Sequence, residues 1–294
     1  MRRYLIILTL LCSSCRVGKS YDVCYTQGSL TMLLSQADRK EDTLKNDAFD
    51  PDLSPDGSKV AYTKYGNNDV RQIAVADLTN GTTTILDSAC KNCYAPVWSP
   101  DGKKVAYNAF TTDHWSILLL DLDGTAPPVN LTKGLNAKEG AYSPTWSNDG
   151  KKLLVQDMTN VYILDPTGKV MDSIPIASFG EGSGASSNSK FILTGEETRI
   201  LFDTETDDST AGDGPPSAIF VYDRTAKKAK RISPKGYDCF QPYLKGDRVF
   251  FTGIHTSDPA FNKDNPVIDI YSSAISGGHF RLEFKNRQDY SCKR

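Results

Sequence analysis

Aromatic side chains recur at one place in this sequence, and they are the residues best suited to binding a ligand. Four of them stand two places before a proline, and a fifth stands at the equivalent place near the C-terminus: Phe49, Tyr94, Tyr142, Phe240 and Tyr290. Flat rings supply contact area at low entropic cost, which suits stacking on a peptide or a sugar. In the functional interpretation these side chains form a ring at one mouth of a channel and bind a ligand there. In the alternative interpretation they pack between repeats.

Cysteine chemistry is the second possibility, because the chain contains seven cysteines. Cys12 and Cys15 fall in the N-terminal segment, which leaves an odd number, so at least one further thiol is unpaired or intermolecular. Cys90 and Cys93 are close enough in sequence for a local structural disulfide. A redox or metal pair is the weaker interpretation, since no second pair accompanies them and no helix follows. Cys239 is the candidate for the free thiol.

Other candidate sites carry little chemistry. His114, His255 and His279 fall at unrelated places in the sequence, which argues against a shared metal site. The acidic stretch 203–208, with Asp213 behind it, lacks the ligand spacing of a known calcium loop and is typical of a solvated loop. The sequence therefore predicts no catalytic residue, no metal and no cofactor.

A repeated sequence pattern supplies the elements that position these residues. Three copies contain the turn Ser54-Pro55-Asp56-Gly57, Ser99-Pro100-Asp101-Gly102 or Ser147-Asn148-Asp149-Gly150, at steps of roughly 45 to 48 residues. Proline presets the backbone at such a turn, aspartate bonds its own backbone, and glycine accepts the left-handed conformation. Short runs of Val, Trp, Tyr and Ala flank each turn, and two more apolar runs follow it. Four strands per repeat predict the blade of a β-propeller.

Weaker repeats extend the count to six. The pairs of runs 196–202 with 219–223, and 242–251 with 270–274, predict a fourth and a fifth blade. The segment 20–26 matches the second strand of the repeat, and residues 31–34 and 43–44 can supply the third and fourth strands. Residues 289–292 resemble the start of a first strand. We therefore expect an all-β, six-bladed propeller of four-stranded antiparallel blades, in which the two ends of the chain pair and close the ring.

Ring closure also predicts a disulfide bond. Cys24 would lie on the second strand and Cys292 on the first strand of the shared blade, as neighbours. A bond between them would close a very long loop, which stabilises a fold by roughly 4–5 kcal/mol in the chain-entropy model.

The N-terminus has the features of an export signal. Met1-Arg2-Arg3 is basic, residues 4–11 are apolar, and the run is too short to span a bilayer. Ser13-Ser14-Cys15 resembles a bacterial lipoprotein box, although Cys12 stands where leucine is usual. We expect residues 1–14 to be a signal peptide, Cys15 to be lipidated, residues 15–19 to be a tether and residues 20–294 to be a single propeller domain. The alternative is an ordinary cleaved signal peptide that releases a soluble protein.

Length and charge agree with one domain. Six blades of about 47 residues account for nearly all of the chain. With 34 basic and 36 acidic residues the formal charge is −2, which argues against nucleic acid as a partner.

The turn motifs also carry a family resemblance. Trp98-Ser99-Pro100-Asp101-Gly102 and Trp146-Ser147-Asn148-Asp149-Gly150 resemble the WD40-like repeats of the TolB family, which also occur in the propellers of prolyl oligopeptidase-type peptidases and the tricorn protease. The resemblance covers residues 48–170 well and the remainder weakly, and it implies the propeller fold. The additional α/β domain of TolB has no counterpart, so we expect no role in the Tol–Pal system. No Gly-x-Ser-x-Gly motif occurs, Gly182-Ser183-Gly184 being a fragment, so we expect no serine peptidase activity.

Function follows from the fold only in outline, because this scaffold hosts unrelated roles. The sequence predicts a non-enzymatic binding or scaffolding module of the bacterial cell envelope, in the periplasm and anchored to the outer membrane by lipid alone. It would act as a monomer and bind a protein, a peptide or a glycan at the propeller face or in the channel. The alternative is a propeller-fold glycan hydrolase or lyase, which would need paired carboxylates or a metal cluster at the axis, and the sequence shows neither.

Overall fold

The described residues form a six-bladed β-propeller. The computed structural model describes residues 21–293 except 28–29, 36–39, 47, 68–69, 87–89, 91, 136, 138–139, 181–183, 195–196 and 209–214. Each blade is a four-stranded antiparallel sheet, so the predicted fold class is confirmed. Among these residues no helix is long and apolar enough to cross a membrane.

Strands follow one another from the axis outwards in each blade. The N-terminal segment supplies β1 (Val23–Gln27), β2 (Leu30–Ser35) and β3 (Lys40–Asn46). Blade 1 consists of β4 (Ala48–Leu53), β5 (Lys59–Tyr65), β6 (Arg71–Asp77) and β7 (Thr83–Ile85). Blade 2 consists of β8 (Cys93–Trp98), β9 (Lys104–Phe110), β10 (Trp115–Asp121) and β11 (Val129–Asn130). Blade 3 consists of β12 (Tyr142–Trp146), β13 (Leu153–Gln156), β14 (Asn160–Leu164) and β15 (Val170–Pro175). Blade 4 consists of β16 (Phe191–Leu193), β17 (Arg199–Glu205), β18 (Ser217–Asp223) and β19 (Lys228–Arg231). Blade 5 consists of β20 (Asp238–Lys245), β21 (Arg248–Ile254), β22 (Ile268–Ala274) and β23 (Arg281–Phe284). The last strand is β24 (Gln288–Cys292), and a short 3-10 helix, Ile176–Phe179, follows β15.

The repeated turns join the first and second strands of a blade. In blade 1 the N–H of Gly57 donates to the carbonyl of Ser54 at 2.8 Å, and the hydroxyl of Ser54 donates to Asp56 at 2.6 Å. Gly57 adopts φ +74°, and a Cβ there would lie 2.2 Å from the carbonyl oxygen of Tyr21. The turn therefore requires glycine for its conformation and for its close contact with the closing blade.

Apolar side chains pack between adjacent blades rather than around one centre. One cluster joins blades 1 and 2 through buried residues that include Ile73, Trp98 and Tyr107. Trp98 is 1% exposed, and its indole N–H donates to the backbone carbonyl of Asp52 at 3.0 Å. The backbone N–H of Trp98 donates to the carboxylate of Asp52 at 2.7 Å, so this repeated tryptophan joins neighbouring blades by packing and by hydrogen bonds.

The closing blade contains strands from both ends of the chain, in the order β24, β1, β2, β3. Val23 pairs with Cys292, and Cys24 pairs with Ser291. The N–H of Lys293 also donates to the carbonyl of Asp22 at 3.0 Å. The C-terminal segment therefore supplies the innermost strand and the N-terminal segment the other three, as the repeat alignment predicts.

The predicted disulfide between Cys24 and Cys292 is wrong, because both are free thiols. The register explains the error. Cys24 lies opposite Ser291, one residue away from Cys292, and side chains alternate between the two faces of a strand. Cys24 therefore packs in the cluster towards blade 1, whereas Cys292 packs in the cluster towards blade 5.

Candidate functional site

The innermost strands surround a central channel of about 480 Å³. In five of these strands a β-bulge interrupts the pairing with the second strand. A residue in the left-handed region of backbone space lies at each bulge, with φ between 48° and 55°: Asp50, Ala95, Ser143, Gln241 and Asp289. These five residues and Lys190 of blade 4 all line the channel. Bulges re-aim side chains and are frequent beside functional sites.

Polar side chains on the second strands hold the bulges in place. Thr63 is fully buried; its hydroxyl donates to Asp50 at 2.8 Å and accepts the backbone N–H of Ala95 at 2.9 Å. Asn108 repeats the arrangement one blade later, accepting the backbone N–H of Ser143 at 3.0 Å. Each of these side chains therefore joins a bulge to the next blade, which satisfies backbone groups that the bulge removes from the sheet.

Charged side chains line the channel on several blades. Asp289 is held by the hydroxyl of Thr26, which donates to it at 2.7 Å. Burial raises the pKa of the Asp289 carboxyl above its usual range, and the charge of Asp50 on the adjacent blade raises it further. The ammonium of Lys190 opposes this effect. Two carboxylates and one ammonium thus face the same channel.

A buried carboxyl group stands behind Lys190. Asp203 of β17 is 5% exposed and accepts the backbone N–H of Lys190 at 3.0 Å. Burial raises the pKa of Asp203 to about 7, because the ionised form loses its hydration. This residue belongs to the acidic stretch that the sequence predicts to be a solvated loop, so that prediction is wrong for Asp203, which lies inside a central strand of blade 4.

Four of the five predicted aromatic residues lie just before the bulge of an innermost strand, on the side of the ring that we call the starting face because these strands begin there: Phe49, Tyr94, Tyr142 and Phe240. Phe49 packs edge-to-face on Tyr65 with ring centroids 5.0 Å apart. Tyr94 packs in the same way on Trp115 at 5.1 Å. Tyr142 is 7% exposed and borders the same depression as Tyr94. Phe49 and Tyr94 thus pack on rings from the second and third strands of their own blades, so packing as well as binding applies to them.

Phe240 differs from the other three in its contacts, and Tyr290 differs in its position. Phe240 is half-buried and makes no ring contact with any other described residue. Tyr290 is 8% exposed and stacks on Phe250, with centroids 4.6 Å apart, in the core between blade 5 and the closing blade. The reason is that the bulge of this strand falls at Asp289. Tyr290 therefore occupies the place of the proline in the other repeats: it borders the channel, but its ring packs in the core and not at the starting face.

A second cavity, of about 380 Å³, lies on the starting face between blades 2 and 3. Its lining includes Tyr94, Tyr142, Trp115, Met158 and Arg71. The Cζ atom of Arg71 stands 4.7 Å from the ring centroid of Tyr94 and 5.5 Å from that of Trp115. Burial raises the pKa of Tyr94 to about 12, while the charge of Arg71 acts in the opposite direction. The cavity thus combines aromatic walls with a cation.

The remaining candidate residues are dispersed. Cys90 and Cys93 form the predicted local disulfide, with Cα atoms 6.2 Å apart, and Cys239 is a buried free thiol. His114 and His255 lie beside aspartates on different blades. Among the described residues no group of three or more His, Cys, Asp or Glu side chains could hold a metal ion. Cys12, Cys15, Asp213 and the signal and tether segments lie outside the described residues.

Sequence reasoning missed Arg71, Trp115 and the carboxylate pair. Asp50 and Asp289 are far apart in sequence and meet only because the ring closes. One signal was available, since each bulge residue directly precedes the aligned proline or Tyr290. Arg71 gave no comparable signal, because its partners Asn92, Tyr94 and Trp115 come from the next blade.

Comparison with known proteins supports the fold. Residues 43–174 match the model of the TolB beta propeller domain. No curated protein matches the chain. A putative TolB from Agrobacterium tumefaciens has a similar structure, with a TM-score of 0.63, 18% identity and coverage of 92% of each chain. TolB from Acinetobacter baumannii gives a TM-score of 0.65 at 17% identity, over 93% of this chain and 66% of that one.

A peptidase structure is similar as well. The tricorn protease gives a TM-score of 0.56 at 16% identity, over 81% of this chain and 22% of that one. Likeness at these identities establishes the fold alone, so the chain has a β-propeller fold similar to that of TolB. Binding modules and peptidases share the scaffold, so function has to be argued from the site.

Proposed function

We propose that this protein is a non-enzymatic binding module of the bacterial cell envelope, which binds a peptide segment of a partner protein. The observation that carries the proposal is that two cavities adjoin each other. The central channel and the depression between blades 2 and 3 share Tyr94 and Asn188 in their linings. An extended segment lying in the depression could therefore continue into the channel. Concave sites with apolar walls and a few polar groups are typical of binding sites.

Rigidity of the walls supports binding. Pro51, Pro96, Pro144 and Pro242 line the channel directly after the bulges, and their fixed φ reduces backbone freedom. The side chains of Thr63 and Asn108 hold the bulges from behind. A site that is ordered before binding loses less entropy when the ligand arrives.

Blocking the shared wall tests this function. Asn188 is exposed and borders both cavities, so Asn188→Trp should fill the junction. We expect the wild-type full chain, cross-linked in envelope preparations, to capture a protein that Asn188→Trp no longer captures. Lys228→Trp is the matched control, because Lys228 is exposed on the outer strand of blade 4. Equal capture by all three proteins would contradict the proposal.

Export and lipidation form part of the same proposal. The basic start, the apolar run and Ser13-Ser14-Cys15 support them, and the disulfide between Cys90 and Cys93 fits an oxidising compartment. Cells grown with radiolabelled palmitate should label the wild-type chain and leave Cys15→Ser unlabelled. An unlabelled wild-type chain would exclude the lipid anchor.

A channel enzyme is the second candidate, and one observation favours it. Asp289 has a raised pKa and a second carboxylate, Asp50, beside it, which is the pairing that glycoside hydrolysis uses. However, the two residues come from adjacent blades and each accepts a threonine hydroxyl. Release of reducing sugars from envelope glycans by the wild type but not by Asp289→Asn would favour the enzyme over the binding module.

A further inference from the structure

Among the described residues, Arg71 is held in the cavity by hydrogen bonds and by no carboxylate. Its Nε and Nη2 atoms donate to the side-chain oxygen of Asn92, at 2.8 Å and 2.6 Å. No carboxylate of the described residues lies within 4.0 Å of the guanidinium nitrogens, in contrast to Arg224, which pairs with Asp172 at 2.6 Å. No described residue accepts a hydrogen bond from Nη1, so Nη1 and the second hydrogen of Nη2 form an open pair of donors. A guanidinium fork of this kind suits the two oxygens of a carboxylate.

The surroundings of Arg71 fix its position. Asn92 lies between Cys90 and Cys93, so the disulfide loop supplies the side chain that holds Arg71. Arg71 and Asn92 also form an isolated backbone bridge. On the other side, the carbonyl of Trp115 accepts the N–H of Ala141 at 2.9 Å. These contacts therefore fix the position of the Arg71 guanidinium before a ligand binds.

Apolar surface lies within a few ångströms of this cation. Tyr94 and Trp115 are nearly perpendicular, at 87°, and both rings face Arg71. Met158, 36% exposed, also lines the cavity, and methionine adapts readily to apolar ligands. Phe110, 45% exposed, extends the apolar surface from Trp115 outwards. A ligand must therefore place a carboxylate and an apolar group very close together.

The C-terminal residue of a polypeptide meets that requirement. It carries a carboxylate and its own side chain on one Cα atom. In an extended chain the side chains of successive residues point to opposite sides, so an internal Asp or Glu would direct the adjacent apolar side chain away from the cavity. We propose that the cavity between blades 2 and 3 binds the C-terminal residue of a partner protein, with its carboxylate on Arg71 and an apolar side chain against Tyr94 and Trp115.

This inference rests on the proposed binding function and deepens it, because it assigns the end of the partner chain that is recognised. Capture of chain termini is a known mode of peptide recognition. The peptide would run away from Arg71 towards Asn188, which borders the channel. The peptide residues that precede its C-terminal residue would therefore meet the charged side chains of the channel, such as Lys190.

Three short peptides distinguish a terminal from a side-chain carboxylate. The probes are acetyl-Gly-Gly-Gly-Phe as the free acid, the same peptide as the C-terminal amide, and acetyl-Gly-Asp-Gly-Phe amide. Titration calorimetry on the full chain should give binding of the free acid about tenfold tighter than that of either amide. Fluorescence should respond as well, since Trp98 and Trp146 are buried and Trp115 alone of the three tryptophans is partly exposed.

Arg71→Gln should remove the preference for the free acid, whereas Arg281→Gln, an exposed arginine on blade 5, should keep it. Equal affinity for acid and amide, an unchanged preference in Arg71→Gln, or failure of the free acid to bind at millimolar concentration would each overturn the inference. Equal binding of the aspartate peptide would overturn the choice of the chain terminus.

The comparison of acid with amide uses the wild-type protein and does not depend on folding of a variant. Capture lost in Asn188→Trp but kept in Arg71→Gln would leave the binding function standing without C-terminal recognition.

Discussion

Asp203 shows how one buried carboxyl group can couple stability to pH. Its pKa in the folded chain is about 7, well above the value of about 3.9 for an exposed aspartate. Between these two values the unfolded chain releases the proton while the folded chain keeps it. The contribution of Asp203 to the free energy of unfolding is therefore at its maximum below about pH 4 and falls as pH rises towards 7.

Asp203→Asn should remove that dependence, because asparagine stays neutral and its oxygen can still accept the N–H of Lys190. From pH 4 to pH 8 the free energy of unfolding of the wild type should fall relative to the variant, by on the order of 2 to 4 kcal/mol. Urea denaturation at several pH values measures the difference. Asp207→Asn, at an exposed position, is the control. A constant difference between wild type and Asp203→Asn would contradict the pKa shift.

Residues that act only through contacts within their own turn were predictable from sequence. Gly57 and Asp56 act within their own turn, so their roles follow from residue type alone. Arg71 could not be found in this way, since its environment consists of Asn92, Tyr94 and Trp115 from other segments. Tyr290 was misplaced because a one-residue shift at a bulge changes which side chain faces the channel.

The disulfide loop of Cys90 and Cys93 is the element on which the Arg71 cavity depends. Closing so short a loop contributes about 2 kcal/mol in the chain-entropy model, so its loss should lower stability without unfolding the ring. We expect reduction with dithiothreitol to increase amide hydrogen exchange at Arg71 and in β8 while the closing blade stays protected.

Hydrogen exchange monitored by mass spectrometry, with and without reductant, measures this response. The other described cysteines are already thiols, so the reductant acts on one bond within the described chain. Increased exchange spread evenly over all six blades would show that the disulfide supports the whole fold rather than this loop.

Hairpins were the predictable elements, and bulges were not. Pro-Asp-Gly turns flanked by apolar runs specify two strands from local sequence. The bulges depend on Thr63 and Asn108, which satisfy N–H groups of the next blade. Such bonds join residues about 32 to 35 positions apart, beyond the reach of a local pattern.

At the scale of the whole molecule, β24 completes the ring. Removing residues 288–294 would expose the edge of β1 and uncover Val23 and Tyr25, which are fully buried. We expect this variant to lose the cooperative unfolding transition of the wild type and to self-associate through the free edge. Near-ultraviolet circular dichroism and light scattering detect these changes.

A chain that lacks only residue 294 serves as the control and should behave as the wild type. A synthetic peptide of residues 288–294, added during refolding, should restore the monomeric propeller. A monomeric and cooperative truncated chain would contradict the importance of the closing strand.

Repeat spacing was sufficient to predict ring closure, because the N-terminal segment matches the second strand of the repeat and lacks the first. It was not sufficient to place the side chains of the shared blade, as Cys24 and Cys292 show. Register is set by contacts with both neighbouring blades, and those contacts exist only once the ring has formed.

The order of strands along the chain has a consequence for biogenesis. β1 is synthesised before every other strand and β24 after all of them, yet they pair directly. During synthesis β1 therefore keeps an open edge until the final strand has emerged from the ribosome. We expect the nascent chain to need a holding chaperone for that interval, since unpaired edges are prone to aggregate.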